Sequence, residues 1–121
     1  MKKESRRSQR VADLVRAEIS RLVLIEAHDP ELRTVTITDV VMPPDLRSAR
    51  VYFSCLGSDA DRAKGGEALD RASGYLRREI GRRCGLRYAP ELHFFDDRSL
   101  EQGARIEELL AQVLPPPEDE P

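Results

Sequence analysis

The sequence predicts one α+β domain in which a three-stranded sheet carries helices on one face. The 121 residues suit a single hydrophobic core of ordinary size. Three segments alternate apolar and polar residues, as strands with one buried face do. Other segments repeat apolar residues every three or four positions, as amphipathic helices do. The predicted order of elements is α-β-β-α-α-β, followed by a C-terminal helix.

The first helix is predicted to begin at Ser8, which we interpret as its N-cap. Residues 1–7 show no periodicity, so we expect a flexible basic arm there. The turn signal His28-Asp29-Pro30 ends the helical region. One apolar stripe with helical periodicity runs along this helix, and its members are Val11, Leu14, Val15, Ile19, Leu22 and Val23.

The two strands that follow are joined by the turn Pro43-Pro44-Asp45. We predict an antiparallel hairpin, because so short a connection leaves no room for a crossover. In the first strand, the predicted buried face holds Val35, Ile37 and Val41. In the second strand, it holds Ala49, Val51 and Phe53.

Two helical stretches are predicted next. Ser58 and Asp61 have the spacing of a capping box at the start of the first stretch. The first stretch runs to about Ala72, and the second ends at Gly85, which suits the left-handed position after a helix. A kink is expected at Ala72-Ser73-Gly74, because glycine inside a helix costs about 1 kcal/mol relative to alanine.

The third strand is predicted at Glu91–Asp96, and a last helix opens with Ser99 and Gln102 as a capping box. The predicted domain spans residues 8–114, and residues 115–121 form an acidic, proline-rich tail that we expect to be disordered. We expect one core that includes Ile37, Val51, Leu76, Ile80 and Phe94.

Catalysis and metal binding find little support in the sequence. Cys55, Cys84, His28 and His93 lack the short paired spacings of structural zinc sites, so no metal and no cofactor are expected. Asp96-Asp97 point to opposite faces of a strand and would not converge on one substrate atom. No nucleophile or nucleotide-binding motif occurs, and we predict that the protein is not an enzyme.

The chain is expected to be a cytoplasmic protein with reduced thiols. No apolar segment follows the basic N-terminus, so no signal peptide is predicted. The longest apolar run, Leu22-Val23-Leu24-Ile25, is far too short to cross a bilayer. Cys55 and Cys84 lie within predicted regular elements, and we interpret both as reduced core thiols.

Positive charge is concentrated in two segments, although the formal net charge is only −2. Residues 71–87 hold six arginines and one glutamate, and residues 1–21 hold seven basic side chains and three acids. A local field of this kind attracts phosphate whatever the net charge. A solvated helix face, with no ligand, is the alternative interpretation.

The candidate RNA-binding residues follow from helical spacing. Tyr75, Arg78 and Arg82 share one face, and Arg71 joins it if the helix runs straight. Such a face can hold phosphates and stack on a base. Near the N-terminus, the basic candidates include Arg6, Arg7 and Arg10.

Several stretches in order resemble the ribosome-binding factor A family over about residues 8–114. They are Arg10-Val11-Ala12, Asp29-Pro30, residues 35–40, Pro44-Asp45-Leu46, residues 49–54, residues 86–94 and residues 99–106. The resemblance implies a type II KH-like fold without the usual Gly-x-x-Gly loop. Ala72-Ser73-Gly74 matches the kink motif that the family has instead.

The resemblance also implies a function. The family binds free small ribosomal subunits during late maturation and supports processing of the 5′ end of 16S rRNA. We therefore expect a monomeric, non-catalytic RNA- and ribosome-binding protein with no membrane or small-molecule partner. The alternative is an adaptor that docks another assembly factor without touching RNA.

Overall fold

The computed structural model describes residues 5–26 and 28–97. The predicted C-terminal helix and the acidic tail lie outside the described residues, as does the start of the N-terminal arm. The elements are α1 (Arg6–Arg21), a π-helical turn (Leu22–Glu26), a 3-10 turn (Pro30–Leu32), β1 (Val35–Val41), β2 (Ser48–Cys55), α2 (Asp59–Arg83) and β3 (Glu91–Asp96). Within this part of the chain, no helix is long and apolar enough to cross a membrane.

The sheet has the order β1-β2-β3, with β2 at its centre. The predicted hairpin is confirmed, since β1 and β2 pair antiparallel. The pairing of β2 with β3 is parallel, and α2 provides the crossover that parallel strands require. Both helices contact the sheet, α1 mainly through β1 and α2 mainly through β3. The predicted α+β class with its KH-like order of elements is confirmed.

The burial phase predicted for β1 is wrong in its second half. The pairing register shifts between Ile37 and Asp39, so that Thr38 is an extra residue on this strand. Val35 and Ile37 are buried as predicted. After the bulge the alternation moves by one position, so that Val40 rather than Val41 faces the core. In β2, by contrast, the predicted residues Ala49, Val51 and Phe53 are all buried.

Helix α1 begins earlier than predicted. Ser5 is the N-cap, and its Oγ accepts a hydrogen bond of 3.0 Å from the Ser8 amide. Ser8 lies three positions inside the helix, where its buried Oγ accepts from the Ser5 amide at 2.7 Å. The two serines form a reciprocal capping box in which serine replaces the usual glutamate or glutamine. Arg6 and Arg7 therefore lie in the first turn of α1.

The buried stripe of α1 differs from the prediction in its first half, whereas Val15, Ile19, Leu22 and Val23 are buried as predicted. Leu14 was predicted to face the core but is 55% exposed, whereas Ala12 is buried. Ser8, Ala12, Val15 and Ile19 follow each other at spacings of four, three and four residues and form the buried face. Counting large apolar residues missed Ser8 and Ala12, because small side chains form the first half of this face.

Helix α2 is continuous, so the predicted division into two stretches is wrong. Its helical residues run from Asp59 to Arg83 through Ser73 and Gly74, and Gly74 is not among the residues with positive φ. Buried side chains flank the glycine on both sides, with Leu69 before it and Leu76 after it. Their packing against the sheet outweighs a propensity cost of about 1 kcal/mol.

The other boundaries of α2 and the core agree with the sequence. Ser58 and Asp61 form the predicted capping box, and Gly85 has the predicted positive φ, at 63°. Ile37, Val51, Leu76 and Ile80 are buried in one cluster, as predicted. Phe94 is half-buried against that cluster, and Leu92 is the buried residue of β3. Both cysteines are free thiols, Cys55 buried and Cys84 half-buried.

Candidate nucleic-acid interface

The continuous α2 aligns the predicted basic residues on one face. Arg71, Tyr75, Arg78 and Arg82 follow one another at spacings of four, three and four residues, which in an unbroken helix share a face. Arg78 and Arg82 are exposed, whereas Tyr75 is half-buried against the core. The predicted face is thus present, but its members differ in how much charge they offer to a ligand.

Arg71 is engaged by two carboxylates of the turn that follows α1. Its Nη2 atom lies 2.9 Å from Asp29 Oδ2 and 2.9 Å from Glu31 Oε1. Hydrogen bonds to Asp29 and Glu31 raise the pKa of Arg71. The pKa of Asp29 is lowered, first by its bond from Arg71 and then by its bond from the Glu31 amide. The positive charge of Arg71 is therefore balanced within the protein.

Arg82 shares a carboxylate with its neighbour. Its Nη2 atom donates to Glu79 Oε1 at 2.5 Å, and Arg83 Nε donates to the same oxygen at 3.0 Å. Both hydrogen bonds lower the pKa of Glu79, and the bond from Arg83 has the larger effect. Arg83 also lies 3.6 Å from Glu18, so two glutamates face these two arginines, and the Arg82 side chain is 68% exposed.

Arg78 lies beside the predicted kink motif. Its Nη1 atom is 3.8 Å from the position that a Cβ would take on Gly74. Among the described residues, no carboxylate forms an ion pair with Arg78. Ala72 packs against the core, Ser73 is half-buried and Gly74 is exposed. This part of α2 therefore presents an open turn of helix with an uncompensated guanidinium beside it.

The two helices run in opposite directions, which brings the basic segments to one end. Glu18 Oε1 of α1 lies 3.6 Å from Arg83 Nη1, at the end of α2. Asp29, beyond the end of α1, contacts Arg71 near the middle of α2. The N-terminal turns of α1 therefore point toward the end of the domain at which α2 terminates. The exposed arginines in these turns are Arg6, Arg7 and Arg10.

Sequence reasoning missed three further residues, namely Arg47, Arg87 and Tyr88. The Arg47 Cζ atom lies 4.3 Å from the centre of the Tyr88 ring, and the Arg87 Cζ atom lies 5.7 Å from it. Tyr88 is 47% exposed. The signal was the dipeptide Arg87-Tyr88 in a loop, but its partner Arg47 is some forty residues away and only the sheet register joins them.

The fold and this site define a small α+β domain of KH-like order with an arginine-rich end. A family model described as ribosome-binding factor A matches residues 7–110. The chain belongs to the ribosome-binding factor A family.

Relatives and solved structures agree with this assignment. The chain is 43% identical over 114 residues to ribosome-binding factor A of Aromatoleum aromaticum, covering 94% of this chain and 90% of that one. It is 45% identical to the Acetivibrio thermocellus protein, with 88% of each covered. The crystal structure of ribosome-binding factor A from Thermus thermophilus superposes with a TM-score of 0.67 at 22% identity, covering 75% of this chain and 96% of that chain.

Two further structures are similar. The solution structure of a Thermotoga maritima protein, described as a putative ribosome binding factor A, has a TM-score of 0.58 at 35% identity, with 69% and 84% of the two chains covered. A Thermus thermophilus homology model, fitted into a cryo-EM map of a 30S–RbfA complex, has a TM-score of 0.51 at 26% identity, with coverage of 68% and 90%.

Proposed function

We propose that this protein is a non-catalytic assembly factor that binds the 16S rRNA of free, immature small ribosomal subunits in the cytoplasm. In that role it supports processing of the 5′ end of the rRNA and acts as a monomer. Membership of the ribosome-binding factor A family supports the proposal, as does the similarity to a relative fitted into a 30S complex. The structural observation that carries it is the exposed Arg78–Arg82 face at the arginine-rich end.

The members of the face have different roles in this proposal. Arg78 and Arg82 contact phosphates, because both are exposed and Arg78 has no ion-pair partner among the described residues. Tyr75 packs beside them and shapes the surface. Arg71 holds the Asp29–Glu31 turn in place. It supports RNA contact indirectly, by fixing this part of the fold.

Arg6, Arg7 and Arg10 extend the same positive end. Ser5 and Ser8 cap α1 and fix the helical first turn, so these three arginines project from a rigid helix. No acidic residue lies in that first turn, and the helix N-terminus adds partial positive charge to it. The protein would hold one arrangement of the rRNA through these contacts until maturation is complete.

Co-sedimentation tests the partner. The wild-type protein is expected to sediment with free small subunits in preference to large subunits and assembled ribosomes. Equal binding to all three would contradict the proposal, because phosphate attraction alone does not discriminate between them.

A charge-removal pair tests the face. Arg78→Gln with Arg82→Gln is expected to weaken subunit binding and to flatten the plot of log affinity against log salt by about two units, if each arginine neutralises one phosphate of a duplex segment. The matched control is Arg16→Gln with Arg33→Gln, which removes the same charge from exposed positions elsewhere. A salt slope that is equally affected in both pairs would contradict the assignment.

A separate variant tests the arginines in the first turn of α1. Deleting residues 1–7 would also remove the Ser5 cap, so Arg6→Gln with Arg7→Gln is the cleaner change. If this pair abolishes binding and the α2 pair leaves it unchanged, the first turn of α1 carries the contact. If binding is insensitive to salt in every variant, an adaptor that docks another protein is the better description.

A further inference from the structure

Arg47, Arg87 and Tyr88 form an exposed group that we call the Tyr88 cluster. The two guanidinium carbons lie 4.3 Å and 5.7 Å from the centre of the same tyrosine ring. All three residues are exposed. A cation within about 6 Å of an aromatic ring is attracted by its quadrupole, so the ring holds both guanidinium groups near itself.

The fold fixes this cluster on rigid elements. Arg47 directly precedes β2, and its carbonyl oxygen accepts a hydrogen bond of 2.9 Å from the Glu91 amide at the start of β3. Arg77 of α2 donates to the carbonyl oxygens of Ala89 (3.0 Å) and Pro90 (3.1 Å). The loop that carries Tyr88 is therefore fastened both to the central strand and to α2.

The guanidinium groups of the cluster lack ion-pair partners within the described residues, and the Asp45 carboxylate accepts a hydrogen bond of 3.0 Å from the Arg47 amide. Among the residues that the structure describes, no carboxylate forms an ion pair with Arg47 or Arg87, and no partner is found for the Tyr88 hydroxyl. Arg71 and Arg82 on α2 differ in this respect, since each has an acidic partner. Two like charges beside one ring repel each other, and an anion placed between them would relieve that repulsion.

The cluster adjoins the end of α2. A Cβ on Gly81 would lie 3.4 Å from the Cα and Cβ atoms of Ala89, so the loop packs directly on the last turns of the helix. The Arg87-Tyr88 pair therefore lies at the arginine-rich end, next to the turn that carries Arg82. It also lies outside the α2 face that the proposed function uses.

We propose that the Tyr88 cluster binds one unpaired nucleotide of RNA, an inference that rests on the proposed function. The base stacks on the Tyr88 ring, and the Arg47 and Arg87 guanidinium groups beside the ring hold its phosphate. Planar guanidinium groups suit phosphate oxygens, and aromatic rings suit any base. The nucleotide is unpaired, because bases in a duplex are stacked on one another and offer no free face.

The experiment uses the full chain and two fluorescent RNA probes of about equal charge, an unstructured strand of about twenty nucleotides and a blunt-ended duplex of about ten base pairs with no unpaired base. Tyr88→Leu is expected to weaken binding of the unstructured strand about 5- to 150-fold, the range known for loss of one stacked base. Tyr88→Phe keeps the ring and is expected to bind within about twofold of wild type. Binding of the duplex is expected to be the same in all three proteins, because it has no unpaired base to stack on the ring.

Salt dependence separates the roles within the cluster. Arg47→Gln combined with Arg87→Gln is expected to reduce the salt slope for the unstructured strand by about 0.7, the value for one phosphate of a single strand, whereas Tyr88→Leu leaves the slope unchanged. Thermal melting of each variant corrects the affinities for any unfolded fraction. Normal affinity of folded Tyr88→Leu for the unstructured strand would overturn the inference. The ring would then have only a structural role.

Two other outcomes would also overturn it. Equal weakening for strand and duplex would show a general charge effect, and efficient competition by a polyglutamate peptide would show an acidic-protein site. The inference and the proposed function fail separately. Preferential sedimentation of wild type with small subunits, together with a Tyr88→Leu variant that binds RNA normally, would overturn only the inference. Loss of that preference, with Tyr88-dependent strand binding intact, would overturn only the proposed function.

Discussion

The Nη2 atom of Arg71 lies 2.9 Å from the Oδ2 atom of Asp29. This ion pair joins the middle of α2 to the turn that follows α1, forty-two residues earlier in the chain. Asp29 also accepts a hydrogen bond of 3.0 Å from the Glu31 amide, which caps the short 3-10 turn. One guanidinium therefore helps to fix the connection between the first helix and the sheet.

Removing this guanidinium is expected to loosen the turn more than the domain. In Arg71→Gln, amide hydrogen exchange at Leu32 and Arg33 should accelerate, because both donate within the turn that the ion pair secures. Arg78→Gln is the matched control, since it removes an exposed arginine of the same helix. Unchanged exchange at Leu32 in Arg71→Gln would contradict the role given to this contact.

Acidification is expected to act on the same contact. The pKa of Asp29 is lowered in the folded protein, chiefly by the bond from Arg71. Its stabilising contribution is therefore present above about pH 4, the value for an unfolded aspartate, and is lost as the pH falls through the lower folded value. Melting temperature measured from pH 5 downward should fall less steeply in Arg71→Gln than in wild type. Parallel curves would show that the pair contributes no pH dependence.

Ile80→Ala is expected to destabilise the domain by about 2–5 kcal/mol, because the side chain is fully buried and its loss leaves a cavity. Leu14→Ala should change stability by less than about 0.5 kcal/mol, since Leu14 is largely exposed despite its place in the apolar pattern of α1. Urea unfolding of both variants checks this. Equal losses in the two variants would mean that Leu14 is covered in solution.

Two glycines of α2 are expected to respond in opposite ways to alanine. A Cβ on Gly65 would lie 3.1 Å from Cys55 Sγ and from Val35 Cγ2, so Gly65→Ala overpacks the contact between α2 and the sheet at a cost of about 1–3 kcal/mol. A Cβ on Gly74 meets only the Arg78 guanidinium, at 3.8 Å, so Gly74→Ala should gain up to about 1 kcal/mol of helix propensity. Destabilisation by Gly74→Ala would indicate that the protein needs a bend there.

Ser58→Ala is expected to cost about 1 kcal/mol, because the Ser58 Oγ accepts from the Asp61 amide at 3.2 Å and caps α2. Ser73→Ala, in the interior of the same helix, should be neutral or slightly stabilising, since alanine is the better helix former. Thermal melting of the two variants tests the difference. A larger loss in Ser73→Ala would mean that its hydroxyl has a structural role.

Regular local patterns predicted much of this fold. The alternation of Ala49, Val51 and Phe53, the Ser58–Asp61 box and the limits of β3 all depend on residues close in sequence, and all agree with the structure. The failures occurred where a local rule competes with a tertiary one. The bulge at Thr38 is set by pairing with β2, and the continuity of α2 through Gly74 is set by packing of Leu69 and Leu76.

The candidate site was predictable only in part. Helical spacing correctly placed Arg78 and Arg82 on one exposed face. Spacing contained no information on which arginines already have partners, and Arg71 is paired with carboxylates from another element. The Tyr88 cluster was missed because parallel pairing of β2 with β3, not sequence proximity, brings Arg47 to Tyr88.

The position of β2 between an earlier and a later strand has a consequence for the order of folding. During synthesis, α1 and the β1–β2 hairpin are complete before the residues of β3 exist. A two-stranded hairpin has only marginal stability on its own. The central strand β2 lacks one of its two neighbouring strands until the 25-residue helix α2 and then β3 have been synthesised. Cooperative folding therefore waits for the chain to reach about Asp96, and a nascent chain that stalls earlier would expose the edge of its central strand to aggregation.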